Sequence, residues 1–179
     1  MTEELGVGEA AARLVEFTVI DVRGETEWVG PLGRVTGARL IPLPELGARA
    51  AEIPRGKPLL MICRSGVRSA KACAQLGELG LGPAVNLVGG MIAWNRAELP
   101  VERTAPANRA ALLDSAIAWL AQVTAQNADS ARAKLGGALG REVTATDAAD
   151  VLDAIERLAG TPADLDLSLA AFRAALAEL

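Results

Sequence analysis

Residues 58–80 read Pro58-Leu59-Leu60-Met61-Ile62-Cys63-Arg64-Ser65-Gly66-Val67-Arg68-Ser69-Ala70-Lys71-Ala72-Cys73-Ala74-Gln75-Leu76-Gly77-Glu78-Leu79-Gly80. The opening run is apolar without interruption, as expected of a central parallel strand covered on both faces. The chain then enters a short loop at Arg64-Ser65-Gly66 and takes up helical spacing. Val67, Ala70, Ala74, Leu76 and Leu79 carry it, and Gly80 closes the helix. Outward from this unit, Phe17-Thr18-Val19-Ile20 is a β-branched run ending at Asp21, a good buried strand. Ala38-Arg39-Leu40-Ile41 gives another strand, stopped by Pro42 and Pro44. Ala84-Val85-Asn86-Leu87 gives a further one, after which Gly89-Gly90 turns into a helix over Met91 to Arg96. Strands alternating with helices predict an α/β fold with a parallel sheet. Acting groups in such sheets sit at the carboxyl ends of strands, where Asp21 and Cys63 both fall.

The rest of the composition excludes several kinds of function. Of the 179 residues, 51% are hydrophobic and 22% charged, enough to build a core and unlike a disordered chain. A net charge of −4 and a pI near 5.0 argue against a nucleic-acid partner, which requires clustered Lys and Arg. The chain has no histidine and no tyrosine, so His relays and His-ligated metals are out of reach. Two cysteines make neither a disulfide framework nor a zinc site, and no metal is expected. Met1-Thr2-Glu3-Glu4-Leu5 does not resemble a secretory n-region. The most apolar window, Ala110 to Val123, is broken by Asp114, Ser115 and Gln122, so no membrane span is expected. These features lead us to expect a cytoplasmic protein with reduced thiols.

Composition shifts near Arg103-Thr104-Ala105-Pro106. Through Ala105 there are 12 basic and 12 acidic residues; from Pro106 there are 6 and 10, so the net charge lies in the second part. We therefore expect an α/β domain over residues 1–105 and a helical extension over 106–179 of three or four helices. These helices are expected over Asn108 to Gln126, Ala131 to Leu139, Thr146 to Leu158, and a last one capped by Thr161 with Pro162 at its first position. An extension of this size is short for an independent core, so docking on the first part or a homodimer through these helices is expected. Trp119 would then pack on the first part or at the dimer interface. Asp164-Leu165-Asp166 lacks the glycine and later Glu of a calcium loop and reads as solvated surface.

Cys63-Arg64-Ser65-Gly66-Val67-Arg68-Ser69 carries the chemistry. A helix N-terminus offers partial positive charge and unpaired N–H groups, and two guanidinium groups add full charges. Such surroundings favour thiolate over thiol and cradle an anion attached to the sulfur. Gly66 lets the backbone curl without Cβ conflict. A buried cysteine in an ordinary turn is the bland alternative, but it leaves two arginines unexplained. A working nucleophile must also be reachable from water. Cys73 lies ten residues on, about two turns down the helix, too far to act as a resolving thiol. Buried packing is expected of it, and packing is likewise expected of Trp28 and Trp94.

The loop resembles the active-site loop of single-domain rhodaneses, the thiosulfate:cyanide sulfurtransferase-like family. Asp21-Val22-Arg23 with Glu27-Trp28, Gly37-Ala38-Arg39-Leu40-Ile41-Pro42-Leu43, and Gly89-Gly90-Met91-Ile92-Ala93-Trp94 with Leu99-Pro100-Val101 are similar to its other motifs, in order. The resemblance covers roughly residues 5–103. It implies a five-stranded parallel sheet flanked by helices, with Cys63 taking a sulfane sulfur from thiosulfate or a similar donor as a persulfide. The outer sulfur would pass to cyanide or a thiol, with no cofactor beyond that covalent intermediate. By the same resemblance, backbone N–H groups of Arg64, Ser65, Gly66, Val67, Arg68 and Ser69 would hold the persulfide. Arg64 and Arg68 would orient anionic substrates, with Asp21 and Arg23 in support.

One departure stands out: where relatives usually carry a histidine, this chain reads Gly33-Arg34-Val35-Thr36-Gly37-Ala38. Arg34 or Arg23 is then expected to be the counter-charge of Asp21. Two other functions compete. Cysteine-dependent phosphatases and arsenate reductases place one more residue between cysteine and arginine than the four, Arg64 to Val67, found here. A non-catalytic interaction module would have no need of both Cys63 and Arg68.

Overall fold

A computed structural model describes residues 3–179. The described residues form two compact units, one ending at Glu102 and one running from Arg103 to Leu179.

The first unit is built on five parallel strands in the order β1-β5-β4-β2-β3. The strands are β1 (Glu3–Leu5), β2 (Thr18–Asp21), β3 (Arg39–Leu40), β4 (Leu59–Ile62) and β5 (Ala84–Leu87). Central β4 is buried at all four positions, which is why its sequence shows no polar alternation. It pairs in parallel with β2, Asp21 opposite Ile62, and with β5, Met61 opposite Asn86. That register brings the ends of β2, β4 and β5 to one rim. Helices α1 (Val7–Ala12), α2 (Glu25–Trp28), α3 (Val67–Glu78) and α4 (Gly90–Arg96) complete the unit.

Edge strand β1 pairs with β5 from Glu3 opposite Val85 to Leu5 opposite Leu87. Its three residues carry two exposed glutamates, so apolar patterning did not reveal it, although a five-stranded sheet was implied by family resemblance. Strand β3 keeps only two of four expected residues, although Ile41 and Leu43 still donate to Asp21 and Val22 on either side of Pro42.

The second unit contains α5 (Arg109–Val123), α6 (Ala128–Leu139), α7 (Ala148–Leu158) and α8 (Leu165–Ala177). Asn108 caps α5 through Ala111 N–H, and Asn127 caps α6 through Ser130 N–H. The last helix begins at Leu165 rather than beside Thr161, with Asp164 at its N-terminal boundary. This unit buries its own cluster, including Leu112, Leu120, Leu135, Val151, Ile155, Leu169 and Phe172.

Two expectations are corrected here. Trp119 belongs to that cluster, edge-on to Phe172 with ring centroids 6.3 Å apart. Its indole N–H donates to Asp164 Oδ2 at 3.3 Å. Asp164 is accordingly buried and also accepts from Ser168 Oγ, whereas Asp166 alone of the pair is surface. A buried indole N–H needs an acceptor, and the carboxylate supplies one.

Candidate functional site

Cys63 is the first residue after β4, and the loop 63–66 leads directly into α3. Gly66 has φ 93°, the left-handed turn that only glycine adopts without strain. The turn points its own N–H back at the cysteine, and Gly66 N–H donates to Cys63 Sγ at 3.1 Å. The first intrahelical bond of α3 runs from Ala70 N–H to Gly66 O at 3.2 Å. The N–H groups before it face the loop with the positive end of a twelve-residue helix behind them.

Ser69 sits one turn in and is buried. Its Oγ lies 3.3 Å from Cys63 Sγ, 3.1 Å from Gly66 O and 2.7 Å from Asn86 Oδ1. Asn86 in turn donates through Nδ2 to Glu4 Oε1 at 3.2 Å. Sequence reading gave Asn86 no role, yet a lone carboxamide in an apolar strand is costly unless bonded, and that was the available clue.

Arg68 lies beside the thiol, half-buried, and its two terminal nitrogens grip Glu27 Oε2 and Oε1 at 2.6 and 2.7 Å. The Glu27 bond, and then Glu27's charge together with those of Cys63 and Asp21, raise the Arg68 pKa above its ordinary value. Burial lowers that of Arg64, Glu27 opposes the shift, and Arg68 adds to it. Glu27 stands 41 residues from Arg68, so no local spacing signals the pair. The motif containing Glu27 was visible, its destination was not.

Beneath the rim, Asp21 and Arg23 are both fully buried. Arg23 Nε and Nη2 donate to the Asp21 carboxylate at 3.0 and 2.7 Å, Nη2 donates also to Gly33 O, and Nη1 donates to Glu27 O. Of the two counter-charges considered, the one on Asp21 is Arg23. Arg34 pairs with Glu102 at 3.3 Å and stacks over Trp28 with its guanidinium 5.2 Å from the ring centroid. Trp94 is buried and its indole donates to Pro100 O. Ser65 contributes the loop's third position, and Val67 opens α3.

The thiol itself has no exposed surface. That corrects the expectation of a reachable sulfur, because the loop closes over Sγ with Gly66 N–H and Ser69 Oγ in contact. Among the described residues, no group of three or more His, Cys, Asp or Glu is placed to hold a metal ion. Nor is any described helix long and apolar enough to cross a membrane.

The loop's shape is imposed from the β5–α4 turn. Met91 N–H donates to Cys63 O and Ile92 N–H to Arg64 O, at 2.9 and 3.0 Å. Gly90, at φ 55°, lets the two segments touch; a Cβ there would collide with Cys63 O and stand 2.8 Å from both Arg64 C and O. Gly90→Ala is therefore expected to cost about 2–4 kcal/mol through positive-φ strain and displaced carbonyls. Urea denaturation checks this, and a loss under about 0.5 kcal/mol would contradict the close approach.

Cys73 is a free thiol packed among Ile41, Leu46, Met61 and Leu76. Burial, with a small push from Glu4, raises it from 9.0 to about 12 against a lowering backbone bond. The folded state thus keeps a proton that the unfolded chain releases, so stability falls as pH climbs from 9.0 towards 12. Cys73→Ala is expected to unfold at lower temperature near neutrality but to show a flatter decline of thermal midpoint over that alkaline range. Parallel curves would show that Cys73 does not titrate in this way.

The comparisons with known proteins agree with this architecture. Residues 7–97 match the model of the rhodanese-like domain. A protein named sulfurtransferase from Allochromatium vinosum is 35% identical over 104 residues, 56% of this chain and 95% of that protein. The probable adenylyltransferase/sulfurtransferase MoeZ of Mycobacterium tuberculosis is 37% identical over 87 residues, 48% of this chain but only 22% of that much longer protein. The crystal structure of a rhodanese-related protein from Thermoplasma volcanium superposes with a TM-score of 0.53 at 29% identity, covering 57% of this chain and 99% of that one. With the family model spanning half of its length and the Cys63 loop set at the strand ends, this chain belongs to the rhodanese-like family.

Proposed function

We propose that the protein is a sulfurtransferase that carries a sulfane sulfur as a persulfide on Cys63. The observation that supports it most is the direct donation of Gly66 N–H to Sγ at the N-terminus of α3, with the Ser69 hydroxyl 3.3 Å from the same sulfur. A sulfur that serves only packing has no use for donors that favour its anion. In the first half-reaction the Cys63 thiolate attacks the outer sulfur of a donor such as thiosulfate, the S–S bond to the donor breaks, and sulfite leaves with the bonding pair. In the second, a thiol or cyanide takes that sulfur and returns the thiolate. The carrier is the enzyme's own sulfur, so the cycle calls for no metal or organic cofactor. Arg64 and Arg68 act on substrate charge, and the Asp21–Arg23 pair holds the rim.

The test is intact-mass measurement after treatment with thiosulfate and, separately, with an alkyl persulfide. Wild type is expected to gain one sulfur that a thiol removes, and Cys63→Ser to gain none. No gain on wild type with either donor overturns the proposal.

A further inference from the structure

The charge count of the loop turns on Glu27. From the sequence, Arg64 and Arg68 place two positive charges beside the thiol, a setting suited to a dianion. In the structure Arg68 is held in a two-pronged ion pair whose carboxylate side chain is only 10% exposed. Such parallel bonds fix both the charge and the orientation of the guanidinium. A polyanion approaching Sγ must therefore share Arg68 with Glu27 or displace a nearly buried carboxylate, which then lacks a partner.

The rim beside this pair is apolar. Val67 and Val88 are 62% and 46% exposed. The segments that carry them adjoin at the loop, because Gly66 backs onto the turn after β5, its Cβ direction ending 3.2 Å from Leu87 O and 3.7 Å from Val88 C. Exposed valines favour a carbon-bearing donor over a fully hydrated inorganic ion.

We propose that Glu27 makes this site select a singly charged persulfide borne on an organic thiol over the thiosulfate dianion as its sulfur donor, a specificity that rests on the sulfurtransferase reading above. With an organic persulfide, Cys63–S⁻ attacks the outer sulfur of R–S–S⁻, the new S–S bond forms as the old one breaks, and R–S⁻ leaves with the electron pair. That encounter gathers two negative charges. With thiosulfate, the same attack releases sulfite dianion and gathers three. Glu27 adds one more in both cases, and its repulsion weighs more heavily on the dianion.

The experiment compares kcat/KM for thiosulfate and for 2-hydroxyethyl persulfide, which carries no charge beyond its sulfur. Glu27→Gln keeps the shape of the side chain and removes its charge. It is expected to raise kcat/KM for thiosulfate about tenfold, mainly through KM, and to change the persulfide value by less than about twofold. Equal responses to the two donors, or no gain with thiosulfate, would overturn the proposal. Because Glu27 also accepts a long bond from Gly24 N–H at 3.5 Å, thermal midpoints accompany the kinetics. If Glu27→Gln does not fold, Glu27→Asp, whose carboxylate is one methylene too short for the two-pronged grip, is expected to shift the donor ratio in the same direction by a smaller factor; an unchanged ratio overturns the proposal equally. A wild type that accepts sulfur from neither donor fails at the sulfurtransferase reading itself, whereas one that accepts both with a ratio indifferent to Glu27 fails only here.

Discussion

Cys63→Ser is expected to lower sulfur transfer at least about a thousandfold while shifting the thermal midpoint by no more than roughly 2 °C. The substitution exchanges sulfur for oxygen in a side chain of nearly the same shape, and the donors around it suit a hydroxyl as well as a thiol. Gly66 N–H and Ser69 Oγ, at 3.1 and 3.3 Å from Sγ, both retain an acceptor. Packing around a fully covered atom is thus kept. What disappears is the nucleophile, because a hydroxyl is intrinsically a far weaker acid and nucleophile than a thiol, and no histidine exists anywhere in the chain to take its proton away. Donor turnover and differential scanning calorimetry measured on one preparation check both halves. Residual turnover within about tenfold of wild type would mean that another group carries the sulfur.

Asp21→Ala is expected to cost about 3–5 kcal/mol of stability, the largest penalty of any single change considered, because it strands a buried guanidinium. Arg23 and Asp21 are exposed by only 1% and 0%, and the pair is closed by bonds of 2.7–3.0 Å. Arg23 also ties Glu27 O to Gly33 O, so losing its partner loosens α2 and the turn below it. The double variant Asp21→Ala/Arg23→Met removes both charges and fills the space with an unbranched apolar chain. It is expected to recover at least about 1 kcal/mol relative to the sum of the single changes. Chemical denaturation of the four proteins gives that coupling, and additive losses would show that the ion pair does not act as a unit.

The sheet was readable wherever burial is two-sided, as in Leu59–Ile62, because apolar continuity is then obligatory. Edge strands escaped or shrank: Glu3–Leu5 is half solvent-facing, and Arg39–Leu40 is ended by a proline. The helices of the second unit were legible from their spacing, with starts displaced where a turn intervenes, as before Leu165, and their asparagine caps emerge from the structure. In the site, residues contiguous with Cys63 were legible, because a loop between strand and helix brings its own members together. Two partners that arrive from elsewhere in the chain were not. Glu27 reaches Arg68 across 41 residues and Asn86 reaches Ser69 across 17, and nothing in a linear pattern encodes either meeting. The burial of Trp119 and Asp164 was missed for the same reason, since each hides the other's polarity across 45 residues.

Ser69 has a single hydroxyl hydrogen and three oxygen or sulfur neighbours within bonding range. Pointed at Asn86, that hydrogen leaves the serine's lone pairs turned to a protonated thiol; swung towards the sulfur, it steadies the anion and abandons the amide oxygen. One hydroxyl hydrogen is thus divided between two claimants, and what the Asn86 amide oxygen holds the sulfur goes without.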